Sequence, residues 1–335
     1  MPFVRNAWYV AGFSEEVPPG QMLSRRVLDC PLVILRGSDG TLSAMVDQCP
    51  HRFAPLSLGS FDGGTVTCRY HGLGFELEGR CVSNPHGSTA GLATQTWPVR
   101  EQDGLLWVWP GDVAERLAIA PPKFGMLDEA EAFVRRGYLH GNADYRLMVD
   151  NILDLSHIEF LHPALGTPAV RNAEVRVTVQ EDAITVTRAM SSEQLGEGLS
   201  YVYGTSGEAV NRTMTVTWSA PSNLVLTVDI ERGVGPTGSQ SLHLFTPETD
   251  RSTHYFYTAS MSRRVADPDQ FDSFANALAG VFLTEDKPMI DAQQDRIGHR
   301  ELATLKPALL KIDKAPVLAR RRLEQLIALE TAGRA

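Results

Sequence analysis

Hydrophobic residues follow two rhythms along this chain. Up to about residue 112 they form short runs of β-branched and aromatic side chains: 32–37 (LVILRG), 42–48 (LSAMVDQ), 65–68 (TVTC), 73–77 (LGFEL) and 104–110 (GLLWVWP). Turn formers such as Ser38-Asp39-Gly40, Asp62-Gly63-Gly64 and Glu78-Gly79 separate them. Brief runs of this kind between glycine-rich turns predict a small all-β domain. Residues 113–125, with two adjacent prolines, read as a connection, so 1–115 and 116–335 are expected to fold as two domains.

The second rhythm is mixed. Residues 144–160 (DYRLMVDNILDLSHIEF) are helix-length and rich in Leu, Met and Ile. Six stretches then alternate with a period of two: 173–180, 183–190, 211–218, 223–230, 239–245 and 254–261. That period predicts an antiparallel sheet with one face buried. Phe271, Phe274, Leu278 and Phe282 recur at helical spacing, and 317–330 (VLARRRLEQLIALE) closes the chain as another helix. Strands flanked by helices without βαβ alternation give an α+β second domain of helix-grip-like type.

Composition narrows the function. Of 335 residues, 43% are hydrophobic and 21% charged, which excludes a disordered or coiled-coil chain. The formal charge of −9, with arginines only in short scattered clusters, argues against nucleic acid as a partner. No apolar run reaches the roughly 18 residues a membrane helix needs, and the first residues lack a secretory pattern, so a cytoplasmic protein is expected. Four cysteines do not make a disulfide scaffold. Cys30 lies in an apolar strand and Cys81 reads as packing. Cys49 and Cys68 differ, because each has a histidine close by.

Cys49-Pro50-His51 is followed after sixteen residues by Cys68-Arg69-Tyr70-His71. Two thiolates and two imidazoles also suit a structural zinc site. Zinc fingers, however, place both cysteines before both histidines, whereas here each loop carries one of each. That is the arrangement of a Rieske [2Fe–2S] centre, with two thiolates on one iron and two imidazoles on the other.

A second polar set lies in the 144–160 segment, where Asn151, Asp154 and His157 fall three residues apart and share one face of a helix. Burying them together is costly unless they bond to each other or to a metal. Asp154, one turn before His157, is placed to orient that imidazole through its carboxylate. His162 follows His157 by five residues, so an unbroken helix would aim the rings about 140° apart. Pro163 disfavours the helical conformation at His162, which allows the two rings to converge as a two-histidine, one-carboxylate iron site requires. Asp286 and Asp291 are the candidates for the carboxylate, and the residues alone do not choose between them.

The segments 49–57 (CPHRFAPLS), 68–75 (CRYHGLGF), 79–87 (GRCVSNPHG) and 154–162 (DLSHIEFLH) resemble the cluster-binding and catalytic-iron motifs of the Rieske non-haem iron aromatic oxygenases. Residues 4–12, 105–112, 147–157, 243–249 and 315–330 extend the resemblance across the chain, to the oxygenase component of the vanillate O-demethylase and dicamba monooxygenase branch. The resemblance implies a [2Fe–2S] cluster on Cys49, Cys68, His51 and His71, and a mononuclear non-haem Fe(II) on His157, His162 and Asp286. It implies that Asp154, beside Asn151, links His157 to His71 of a neighbouring chain in a head-to-tail homotrimer. It further implies a substrate site using His243 and Asn223, and monooxygenation of a methyl or methoxy carbon on a vanillate-like aromatic acid with release of formaldehyde. A separate NADH-dependent flavin and iron–sulfur reductase, or a ferredoxin, is expected, since the chain has no GxGxxG of its own. The Gly- and Ser-rich stretch 191–211 departs from the family and reads as a pocket loop. Ring hydroxylation or dihydroxylation, or a non-catalytic Rieske electron carrier, are the competing readings.

Overall fold

A computed structural model describes residues 3–112, 119–181, 183–232, 235–264 and 266–332. They form two compact units, one of Phe3–Lys123 with Thr246–Asp250, the other of Phe124–Phe245 with Arg251–Ala335. The expected boundary at 115/116, and part of the connection at 113–125, lie outside the described residues.

The first unit is all-β, built from three small sheets. The segments 32–37, 42–48, 65–68, 73–77 and 104–110 each contribute a strand. One sheet joins Ser60–Phe61, Thr65–Thr67, Gly74–Glu76 and Cys81–Ser83, and Cys68 follows directly on its second strand. Val33, Leu35, Met45, Leu56, Val66 and Phe75 form a core that also takes in Cys49, Cys68 and Cys81.

The second unit is a seven-strand antiparallel sheet with helices. In chain order its strands are β1 (Ala132–Gly141), β2 (Glu174–Gln180), β3 (Ala183–Glu193), β4 (Val210–Ser219), β5 (Asn223–Arg232), β6 (Gly235–Thr249) and β7 (Ser252–Ser262). Their spatial order is β1-β7-β6-β5-β4-β3-β2. Two departures from the sequence pattern occur at the edges. β1 carries no period-two signal, because Arg135, Arg136 and Gly137 interrupt it, and it pairs only with β7. β2 alternates in sequence, yet Val175 and Val179 are both exposed on this opposite edge strand.

The helices that matter for the site begin with α1 (Tyr145–Leu153), capped by Asp144, whose carboxylate accepts from Arg146 N at 2.8 Å. The 144–160 segment is not one helix. Asp154 is extended (φ −116°, ψ 94°), a single 3₁₀ turn spans Leu155–His157, and α2 (Ile158–Leu161) follows. The break has a local cause: the Asp154 carboxylate accepts from Ser156 N at 3.0 Å and from Ser156 Oγ at 2.7 Å, capping a new turn. Later, α3 (Pro168–Arg171) and α4 (Glu197–Val202) are short, and α5 (Pro268–Val281) opens with an Asp267/Gln270 capping box. A π-helical turn, Phe282–Asp286, connects α5 to α6 (Lys287–Ile297). Pro288 has no N–H to give the carbonyl four residues back, which favours a widened turn there. Within it Phe282, Asp286 and the following Ile290 all turn inward.

Truncating Phe75, fully buried against the cluster cysteines, removes a large core side chain. Phe75→Ala should cost about 3–5 kcal/mol. Chemical denaturation followed by far-UV circular dichroism measures this directly.

Candidate active site

The two Cys/His loops of the first unit are built alike. In each, the cysteine carbonyl accepts from the amide four residues on, Phe53 N to Cys49 O and Gly72 N to Cys68 O, both at 2.9 Å. In each, the cysteine amide donates to the carbonyl five residues on, Ala54 O at 2.9 Å and Leu73 O at 2.8 Å. The fourth residue after the cysteine has positive φ both times, 58° at Phe53 and 75° at Gly72, a conformation glycine adopts freely and phenylalanine does not.

This shared geometry buries both thiols (Cys49 2% and Cys68 1% exposed) and brings the His51 and His71 rings to 4.4 Å at the unit's surface. Burial pushes the Cys49 thiol pKa up, and the neighbouring Cys68 thiol adds to it. Thiols inside and imidazoles outside make two pairs. The sulfur and imidazole ligands thus lie at the two ends of the paired loops, as the two-thiolate, two-imidazole set of a Rieske centre requires.

In the second unit the ligand atoms of His157, His162 and Asp286 lie within 4.8 Å of one another. Asp286 Oδ1 sits 3.2 Å from His162 Nε2 and 3.5 Å from His157 Nε2, and accepts from Asn151 Nδ2 at 3.0 Å. The other ring nitrogens face acceptors: His157 Nδ1 meets the Asp154 carbonyl at 2.7 Å, and His162 Nδ1 meets Glu285 Oε2 at 2.6 Å. Each Nδ1 therefore carries the proton, and each Nε2 lone pair points at the shared centre. That donor set fits a divalent iron with coordination positions left over.

His162 is brought round as the sequence implies. It closes α2 with φ −120° and ψ 78°, and the chain after it folds back, with Leu165 N and Gly166 N both donating to His162 O. Gly166 permits this fold, since a Cβ there would sit 2.4 Å from Ile158 O and 2.6 Å from Glu159 Cα. The two imidazoles differ electrostatically. Burial lowers the His157 pKa, with Asp286 offsetting part of the shift. Burial also opposes charge on His162, but Asp286 and Glu285 outweigh it and raise that pKa.

Three neighbours revise the sequence reading. Asp154 orients His157 through its backbone carbonyl and not its carboxylate, because the carboxylate is spent on Ser156 and on Arg188 Nη2 at 3.3 Å. Asp291 lies apart from the triad, accepting from Asn142 N at 2.9 Å and from Lys287 Nζ. Glu285 escaped the sequence reading. The signal available was a second carboxylate immediately before a candidate ligand.

Two hollows flank the triad. A cleft of roughly 540 Å³ has Asn151, Asp154 and His157 in its wall, with Leu305, Pro307 and Leu309 opposite. A much smaller cavity, about 20 Å³ and so roomy enough for about one water, touches Asp286 and is lined by Met148, Ile152, Phe245, Tyr255 and Phe282. None of 191–211 lines it; there α4 and the residue after it bury Leu199, Val202 and Tyr203 instead. His243 and Asn223 are not brought together. In the β5–β6 register Leu224 faces His243 and Asn223 faces Leu244, so the two side chains leave opposite faces of the sheet. His243 is fully buried behind Tyr255, with Nδ1 at 2.7 Å from the Tyr255 hydroxyl and Nε2 at 2.9 Å from Ser241 Oγ.

A sequence model of the Rieske [2Fe–2S] domain matches residues 7–98, and one of the vanillate O-demethylase oxygenase C-terminal domain matches 141–329. The chain belongs to the Rieske oxygenases of the vanillate O-demethylase and dicamba monooxygenase branch. Its first unit is the Rieske [2Fe–2S] domain of this family, and its second is the family's sheet-and-helix domain. The chain is 37% identical to the oxygenase component of chloroacetanilide N-alkylformylase from Rhizorhabdus wittichii, over 98% of this chain and 97% of that one. It is 35% identical to the oxygenase component of dicamba O-demethylase from Stenotrophomonas maltophilia, over 99% and 100%. Crystal structures of dicamba monooxygenase superpose on it, with a TM-score of 0.90 for the complex with 3,6-dichlorosalicylic acid (35% identity, 98% and 99% covered) and 0.82 for that with non-heme iron and dicamba (34%, 99% of each).

In this Rieske oxygenase Glu285 fixes the tautomer and direction of His162. Glu285→Gln should lower Fe(II) affinity about ten- to a hundredfold with the fold intact. Metal titration of the apo-protein alongside circular dichroism measures both.

Proposed function

We propose that this oxygenase hydroxylates an alkyl carbon attached to a heteroatom of an aromatic substrate, and so removes it. The observation carrying the reading is the His157–His162–Asp286 set beside a cleft of about 540 Å³ with His157 and Asn151 in its wall, in a chain whose full-length relatives include an O-demethylase and an N-alkylformylase. The vanillate-like methoxybenzoate expected from sequence is one such substrate, with a methoxy carbon as the target.

Cys49, Cys68, His51 and His71 would hold the cluster, and His157, His162 and Asp286 a mononuclear Fe(II) at which dioxygen is activated. For a methoxy group the balance is R–O–CH3 + O2 + 2 e⁻ + 2 H⁺ → R–O–CH2OH + H2O. The hemiacetal then gives R–OH and formaldehyde. The electrons come from NADH through a separate flavin and iron–sulfur reductase or a ferredoxin.

The chain's own residues do the positioning. Asn151 holds the Asp286 carboxylate through its amide. Glu285 and the Asp154 carbonyl keep both histidines in the Nδ1–H form. Met148, Ile152 and Phe282 line the small cavity at Asp286 and make that flank of the carboxylate apolar. Asp154, open to the larger cleft beside His157, is the proposed handover point for electrons from His71 of a neighbouring chain in a homotrimer.

Two outcomes are expected. Purified protein should contain about three irons and two acid-labile sulfides per chain, with one iron removable by mild chelation. Asp286→Ala should retain only the cluster pair and release no formaldehyde, whereas a variant keeping the third iron and its turnover would sink the assignment. Asp154→Asn should keep all three irons yet lose most turnover, and its reduced cluster should fail to reoxidise in single-turnover stopped flow. Full turnover by that variant would remove Asp154 from the electron route.

A further inference from the structure

One buried face of β3 is apolar except at a single place. Ile184, Val186 and Met190 are buried along it, and between Val186 and Met190 the same face carries Arg188, only 4% exposed. The strand is paired on both sides there, with Val175 of β2 and Met214 of β4 opposite Arg188. A guanidinium keeps its charge wherever it sits, and burying one in a row of apolar side chains is costly. Its hydrogen bonds offset that cost only in part. Nη1 donates to Val170 O at 3.0 Å and Nη2 to Asp154 Oδ1 at 3.3 Å, while Nε finds no hydrogen-bond partner among the described residues. Burial lowers the Arg188 pKa, and Asp154 opposes that shift.

The two groups that Arg188 does reach bracket the stretch carrying His157 and His162. Asp154 also accepts from Ser156 N and Ser156 Oγ, but those donors belong to its own turn and move with it. The bond from Arg188 comes from the sheet, so it fixes the turn relative to a strand held on both edges. Away from Arg188 the Asp154 side chain is partly exposed and lines the large cleft. Ser156 and Arg188 supply three donors to a carboxylate with roughly four lone-pair sites, which leaves a place for one more donor arriving from the cleft.

We propose that Arg188 is a positioning residue for electron entry, anchoring the Asp154 carboxylate to β3 so that it faces the cleft at a fixed place. The proposal rests on the electron route above, in which Asp154 takes over from His71 of a neighbouring chain. At a junction of that kind a displacement of about 1 Å is enough to cost about a hundredfold in rate.

The test uses the full-length protein with cluster and mononuclear iron both loaded and oxidised. Flash photoreduction with a deazaflavin puts one electron on the cluster. The cluster's visible absorbance then recovers as that electron passes on, which returns the cluster to its oxidised state and takes Fe(III) to Fe(II). Arg188→Gln is expected to slow this recovery about ten- to a hundredfold. Titration of the apo-protein with Fe(II) should show nearly unchanged affinity, whereas a fault in the iron site itself would cost about ten- to a hundredfold. Added to Asp154→Asn, Arg188→Gln should slow the recovery no further, because both act through one carboxylate. If Arg188→Gln fails to fold or to hold iron, Arg188→Lys, which keeps the buried charge but cannot span Asp154 and Val170 together, is read in its place. Loss of iron from both variants overturns the proposal, since the residue then serves the fold. So does wild-type recovery in Arg188→Gln, or a further slowing in the double variant. A slow Asp154→Asn beside a fast Arg188→Gln overturns the proposal and leaves the electron route standing. If Asp154→Asn recovers at the wild-type rate, or the wild-type cluster never passes its electron on, the electron route fails and the proposal fails with it.

Discussion

Asp286 is 5% exposed, and the second unit is organised around bringing two imidazoles and one amide to its carboxylate. Two imidazole Nε2 atoms and the Asn151 amide surround one oxygen. They come from α1, from the 3₁₀ turn after it and from the end of α2, so the break at Asp154 and the fold-back at Gly166 both serve that convergence. The π-helical turn does the same from the other side. It puts Asp286 inward next to Glu285, which reaches His162 from behind. A regular helix through Phe282–Ile290 would turn these residues differently relative to one another.

The first unit meets a different constraint. Its two loops repeat one backbone pattern, with thiols packed among Val33, Met45 and Phe75 and imidazoles at the surface. A cluster bound there would have its cysteine iron in the apolar core and its histidine iron at the rim. Exposed Phe53 and Tyr70 lie beside those histidines in sequence and give the rim an apolar character suited to close approach by an electron partner.

Sequence revealed what is local. Each Cys/His pair spans no more than four residues, and the three strand runs around them alternate with clear turns. His157 and His162 were readable for the same reason, since Pro163 announces the end of the helix that separates them. What was not readable depends on tertiary contact. The choice between Asp286 and Asp291 rests on which one turns inward, and both stand near Pro288 in similar surroundings. Glu285, Arg188 and Tyr255 act only through residues distant in sequence. The full burial of His243 and its bond to Tyr255 were likewise not readable, because burial is invisible in an alternating strand. The break at Asp154 was foreseeable: Asp-Leu-Ser is an N-cap pattern that the apolar periodicity around it masks.

The central claim is that one iron sits between His157, His162 and Asp286 while two others lie between the Cys/His loops. Anomalous scattering at the iron edge from crystals of the iron-loaded protein tests this directly. The account predicts two separate peaks. One should lie about 2.0–2.2 Å from His157 Nε2, His162 Nε2 and an Asp286 oxygen. The other should be an elongated two-iron peak with Cys49 and Cys68 at one end and His51 and His71 at the other. A mononuclear peak ligated by Asp291, or none near the two histidines, would contradict it.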